Sequence, residues 1–193
     1  HRFALFESIA AAHPRERWDR WPESLRRPDA PGAADFAARH ARSLRCALYL
    51  QWLADRQLAE AAAHARDRGL ALGFYRDLAI GAAPDGSEPW ASPGAFALGA
   101  SIGAPPDPFS PTGQVWGLPP PNPHAMIASA CAGFRDLLAA NMRHAGALRI
   151  DHVMGLARLF WVPDGATAAA GAYVRYPFDA LLATLALESA RAR

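Results

Sequence analysis

The chain has 193 residues, just over half of them apolar, with a formal net charge of +2 and no lysine, so that all 20 basic residues are arginine. That length supports one sizeable core but falls short of a complete (β/α)8 barrel of ~250 residues. The weak, dispersed charge argues against a nucleic-acid surface, the missing lysine excludes a phosphate-loop nucleotide site, and no apolar run reaches the ~18 residues of a membrane span.

Cys46 and Cys131 stand apart without metal-ligand spacing. They read as buried thiols of a reduced, cytoplasmic protein, and the N-terminus has no secretory apolar region. The chain starts at His1 and stops at Arg193 inside a helical pattern, so both ends read as cut.

Residues 2–12 carry a helical stripe of Leu5, Phe6 and Ile9 that ends near His13-Pro14. Residues 14–34, interrupted by Pro14, Pro22, Pro28 and Pro31, read as loop. Trp18 and Trp21 within it could stack on a ligand; packing of the loop against a barrel is the favoured reading. Asp35 is the expected N-cap of a helical region running to Arg68, with Leu44, Leu48 and Trp52 on one face and Gly69 as its stop. At 1.5 Å per residue that region would span ~50 Å, so a break is expected near residues 41–45.

Leu70 to Leu78 reads as a buried strand that arrives at Asp77. Residues 81–122 follow as a long irregular segment rich in Gly and Pro, and a loop of that length in a compact domain is normally functional. It holds Trp90, Phe96, Asp107, Phe109, Gln114 and Trp116. Such a mixture suits a sugar, whose C–H faces stack on aromatic planes while amides and carboxylates bind hydroxyls. For Trp90 and Phe96, packing of the loop on itself is the favoured alternative.

Asn122-Pro123 opens a helix with Met126, Phe134, Leu138 and Met142 on its apolar face, Arg143 and His144 in its last turn and Gly146 as its stop. The stretch from Leu148 to Gly155 then reads as a short buried strand with polar groups at its exit. Arg149, two residues before Asp151, shares a strand face with it. A guanidinium there directs the carboxylate and favours its charged form, which suits a nucleophile. An ion pair pinning a strand end would use the same residues without any chemistry. Leu159 to Val162, a Pro163-Asp164-Gly165 turn, an Ala/Gly-rich loop and a helix opened by Pro177-Phe178-Asp179 complete the chain. One unit thus occurs twice: helix, glycine stop, short apolar strand, acid at the strand end. That alternation predicts an α/β fold.

Several of these stretches resemble one family. Arg149-Ile150-Asp151-His152-Val153-Met154-Gly155-Leu156, followed by Phe160-Trp161-Val162-Pro163, is similar to the nucleophile strand of the amylomaltases (4-alpha-glucanotransferases) of the α-amylase clan. Asp77 to Gly86 with Trp90 resembles that family's segment after its third barrel strand, and Gln51 to Leu58 the helix before it. Gly103 to Asp107, then Gln114-Val115-Trp116-Gly117-Leu118-Pro119, resembles the loop lining its donor site. Tyr173 to Pro177 resembles the helix entry after the nucleophile.

The resemblance implies that residues 1–193 are the central part of a single catalytic (β/α)8 TIM barrel, a partial barrel with long strand-to-helix active-site loops. It implies transfer of α-1,4-glucan segments between maltooligosaccharides, with no metal or organic cofactor. Asp151 would be the nucleophile and Arg149 its orienter. His152 and Asp77 would contact the donor sugar, and Asp107, Gln114, Trp116 and Gly117 would line the glucan groove.

One departure is large. Retaining glycoside chemistry needs two carboxyls roughly 5–5.5 Å apart, and the family's acid/base glutamate lies on the strand after the helix that here meets Arg193. After Asp151 the chain offers Asp164, Asp179 and Glu188, none arriving on a strand. The expectation is therefore an internal fragment that lacks parts of its own barrel, is marginally folded and is inactive alone. Two alternatives remain: a hydrolase or debranching relative of the clan, which the Gln114–Pro119 resemblance disfavours, and a non-catalytic glucan-binding remnant that keeps Trp116 and Asp77.

Overall fold

The computed structural model describes residues 1–192. The chain is α/β and divides into two compact units, His1–Glu60 with Ala83–Pro93, and Ala61–Ala82 with Gly94 onward. Among the described residues no helix is long and apolar enough to cross a membrane.

The first unit is helical. Helix α1 (Arg2–Ala12) buries Leu5, Phe6 and Ile9, the stripe its sequence spacing predicts. Trp18 and Trp21 are not ligand platforms, for both are buried in this unit's own core, where the Phe6 ring lies 5.3 Å from that of Trp21. Helix α2 (Pro31–Arg39) starts earlier than the expected Asp35 cap: Pro31 sits in its first turn, where a missing N–H costs nothing, and Asp35 falls inside it. The expected break falls at His40, and α3 (Ala41–Asp67) then runs unbroken for 27 residues, about 40 Å. Leu44 of its apolar stripe is buried, but Leu48 and Trp52 stay exposed, as does Cys46, against the expectation of a buried thiol. Gly69 ends this helical run as predicted: in the left-handed region (φ 86°), it donates its N–H to Arg66 O while Leu70 donates to Ala65 O. Helix α4 (Ser87–Ala91) returns Trp90 to the first unit's core, where its indole N–H donates to Leu25 O at 2.9 Å.

The second unit holds two sheets. Strand β1 (Tyr75–Leu78) is shorter than the expected Leu70–Leu78 strand, since Leu70 and Leu72 are exposed. The region read as irregular contains β2 (Ala100–Ala104) and β3 (Gln114–Val115). Small residues hide β2 from any propensity rule; it exists because β5 (Arg158–Pro163) pairs with it from Ala100 to Gly103. With β6 (Ala172–Arg175) these make an antiparallel sheet in the order β3-β2-β5-β6. The long helix expected from Asn122 is two helices, α5 (Pro123–Ala128) and α6 (Ala132–Met142). The Asn122 carboxamide oxygen caps α5 by accepting from His124 and Ala125 N–H, and left-handed Ala130 and Cys131 separate the two. Strand β4 (Ala147–Ile150) then pairs in parallel with β1. Helix α7 (Phe178–Arg191) contributes Leu181 to a core with Ile102, Cys131, Leu156, Leu159 and Tyr176.

Gly146 is not the helix stop its position implies. The left-handed residue after α6 is His144 (φ 63°). Gly146 is required because a Cβ there would overlap the carbonyl oxygen of Leu72, on the segment leading into β1. That close approach lets Gly146 and Ala147 both donate their N–H to Phe74 O, at 2.9 and 3.2 Å, and starts the parallel pairing.

Candidate active site at the ends of the parallel strands

Parallel strands deliver their C-terminal ends to one side. In the β1–β4 pair Asp77 lies beside Arg149 and Leu78 beside Ile150, so Asp151, one residue past β4, emerges at the same end as Asp77. The two carboxylates share one guanidinium. Arg149 Nη1 donates to both oxygens of Asp77, at 2.7 and 2.8 Å, while Nη2 donates to Asp151 Oδ1 at 2.7 Å. The side chains of Asp77, Arg149 and Asp151 remain about half exposed. In such a setting ion pairs add little stability, so the value of this fork lies in geometry. Its charge is secure: the hydrogen bond to Asp77, then the charges of Asp151 and Asp77, raise the Arg149 pKa above its ordinary value.

His152 follows in the left-handed region (φ 48°), and its carbonyl accepts the Gly155 N–H at 2.8 Å. Its ring meets that of Trp116 edge-on, centroids 5.1 Å apart, and its Nε2 is buried with no hydrogen-bond partner among the described residues. Asp151 and His152 also line a cavity of about 110 Å³, whose other walls, including Leu78, Ile150, Leu156 and Tyr176, are mostly apolar.

The structure therefore brings together Asp77, Arg149 and Asp151, with His152 beside them and Trp116 against His152. Trp116 is half-buried on the core, and its indole N–H donates to Gln114 Oε1 at 2.8 Å. Of the site residues named from the sequence, Asp151 and His152 line the cavity, whereas Asp77, Asp107, Gln114, Trp116, Gly117 and Arg149 do not. Asp107 Oδ1 caps its own turn, accepting from the N–H groups of Phe109 (2.8 Å) and Ser110 (2.6 Å), and leaves Phe109 almost wholly in solvent. Of the remaining acids considered above, Asp164 is in an exposed turn and Asp179 in the first turn of α7. Glu188 is buried on α7 and paired with Arg191 at 2.6 Å.

Sequence reasoning passed over Tyr176 and Ser101. The Tyr176 hydroxyl donates to Pro121 O at 2.5 Å and accepts from the Trp161 indole at 3.2 Å. The Ser101 hydroxyl accepts the Gly117 N–H at 2.8 Å. Ser101 stands in no motif and Tyr176 enters only within the Tyr173–Pro177 resemblance, so the partners that the fold supplies reveal both.

Comparison with known proteins identifies the family. The family model described as 4-alpha-glucanotransferase matches residues 1–193. A 4-alpha-glucanotransferase of Mycobacterium tuberculosis is 48% identical over 190 residues, covering 98% of this chain and 26% of the relative. That of Haemophilus influenzae is 45% identical over 174 residues, covering 90% and 25%. Among solved structures, an amylomaltase from Corynebacterium glutamicum superposes with a TM-score of 0.81 at 35% identity, covering 99% of this chain and 25% of that one. An amylomaltase from Streptococcus agalactiae, solved with acarbose, superposes at 0.87 with 24% identity, covering 97% and 39%, a likeness of fold. The chain spans about a quarter of the length of the two curated relatives named, and it belongs to the 4-alpha-glucanotransferase family.

Proposed function

We propose that these residues carry the nucleophile side of a retaining 4-alpha-glucanotransferase site, within a partial (β/α)8 barrel. Asp151 attacks the anomeric carbon of an α-1,4-linked donor, the glycosidic bond breaks, and the glucan segment is held as an ester on the carboxylate. The 4-hydroxyl of a second maltooligosaccharide then attacks the same carbon and restores the carboxylate. The observation that carries this reading is the fork on Arg149: it engages Oδ1 of Asp151 and leaves Oδ2 for the attack. A guanidinium fixed by Asp77 holds that direction without rearranging during the reaction.

Asp77, held through both oxygens by one guanidinium nitrogen, is poorly shaped to donate a proton to a leaving sugar. The reading therefore assigns the acid/base to a carboxyl outside residues 1–193. It also assigns His152 to the donor sugar and Asp107, Gln114, Trp116 and Gly117 to the walls of the glucan groove. The test is Asp151→Asn in an enzyme carrying these residues, assayed as glucose release from maltotriose. Transfer is lost while glucan binding persists, because an amide of the same shape cannot attack. More than a few per cent of parental turnover would refute the assignment, as would parental transfer by residues 1–193 alone.

A further inference from the structure

Strands β2 and β3 pair in register at Gly103 with Val115 and Ala104 with Gln114, so Ile102 and Trp116 should form the next pair. Half of that pair exists: Trp116 N–H donates to Ile102 O at 2.9 Å. The other half is displaced, because Ile102 N–H passes over Trp116 and donates to Leu118 O at 2.7 Å. Gly117 drops out of the ladder in the left-handed region (φ 71°), as in a bulge that re-aims a neighbouring side chain. Its freed N–H is taken by the hydroxyl of Ser101, a residue only 5% exposed, whose own proton goes to Ile102 O at 2.9 Å.

We propose that Ser101 is a positioning residue for the transfer reaction: its hydroxyl locks the bulge at Gly117, the bulge sets the Trp116 indole edge-on against His152, and the wall so formed holds the turn that presents Asp151. Three observations converge on this chain. The hydroxyl bond lies where the ladder skips a residue. The indole is fixed a second time by Gln114 Oε1. His152, the next residue after Asp151, is left-handed and has a buried, unpartnered Nε2, so packing against Trp116 rather than a hydrogen bond at that nitrogen fixes its ring. Gly117 itself is exposed, so water can replace the lost hydroxyl. Ser101 therefore governs geometry more than stability.

This inference rests on the transfer reading above, and its test separates the two. In an enzyme carrying this segment, Ser101→Ala, Ser101→Thr and the control Ser129→Ala, which removes an exposed hydroxyl bonded to Ala125 O, are compared. The readouts are kcat and KM on maltotriose, the unfolding midpoint, and hydrogen exchange at the Gly117 amide. The expected result for Ser101→Ala is faster Gly117 exchange, a nearly unchanged midpoint, and a kcat lowered about tenfold with KM moved less, since misplacing catalytic groups by a fraction of an ångström acts on rate. Ser101→Thr restores both kcat and Gly117 protection, and Ser129→Ala changes neither. Parental kcat in Ser101→Ala overturns the proposal, as does failure of Thr to rescue despite a slow Gly117 exchange. Unchanged Gly117 exchange in Ser101→Ala overturns the bulge lock itself. A parent without transfer activity brings down the transfer reading and the positioning role with it, while the exchange data still decide whether Ser101 sets the bulge.

Discussion

Replacing Gly146 by alanine tests whether the site depends on one close backbone approach. The added Cβ would overlap Leu72 O and lie 2.5 Å from Leu72 C, whereas real Cβ atoms essentially never come within 3.0 Å of such atoms. Both neighbours are main chain, so no side-chain rotation relieves the overlap. The segment leading into β1 must retreat by about 1–2 Å, more than a hydrogen bond tolerates. The two bonds to Phe74 O are then lost. At about 1 kcal/mol each, with about 1–3 kcal/mol for overpacking, the cost is about 3–5 kcal/mol. The same retreat moves β1 against β4, and with it Asp77 against Arg149. A misplacement of about 1 Å can cost about a hundredfold in rate. The assay is glucose release from maltotriose together with thermal unfolding, in an enzyme carrying this segment. Gly133→Ala is the control: it lies in the first turn of α6 with nothing within 4 Å of the added Cβ, and should change stability by no more than about 0.5 kcal/mol. A Gly146→Ala enzyme within twofold of parental activity and without a lowered midpoint would refute the reasoning.

Arg149→Lys keeps a positive charge but cannot reach three carboxylate oxygens with a planar fork; kcat should fall by on the order of tenfold to a hundredfold, and a change below twofold would show that charge alone suffices. Tyr176→Phe removes the partner of both Pro121 O and the Trp161 indole, in a partly buried setting; chemical unfolding should show a loss of about 2 kcal/mol, and a loss under about 0.5 kcal/mol would refute the weight given to these two bonds. Burial raises the Tyr176 pKa above its ordinary 10.0. The unfolded chain therefore loses that proton first, and the Tyr176 contribution to stability, complete below pH 10, declines as pH rises above it. Tyr176→Phe should flatten that alkaline decline, and an unchanged pH profile would refute it.

The sequence by itself determined what local chemistry can specify. Leu5, Phe6 and Ile9 recur at helical spacing and bury one face of α1, Gly69 takes the left-handed stop, and Asn122-Pro123 starts a helix. The period of a strand anticipated Arg149 and Asp151 side by side, and they are hydrogen-bonded although Asp151 lies one residue past the strand. Only the tertiary structure decided the rest. Asp77 and Arg149 are 72 residues apart, and nothing local tells that the carboxylate ending one strand is held by the arginine of the next. Strand β2 has almost no strand-forming side chains and exists through its pairing with β5. Gly146 looks like a helix stop, yet it is glycine because a distant carbonyl occupies the place of its Cβ. Ser101 matters only where the ladder with residues 114–118 skips one residue. Each of these depends on which distant backbone arrives, and no spacing along the chain encodes that arrival.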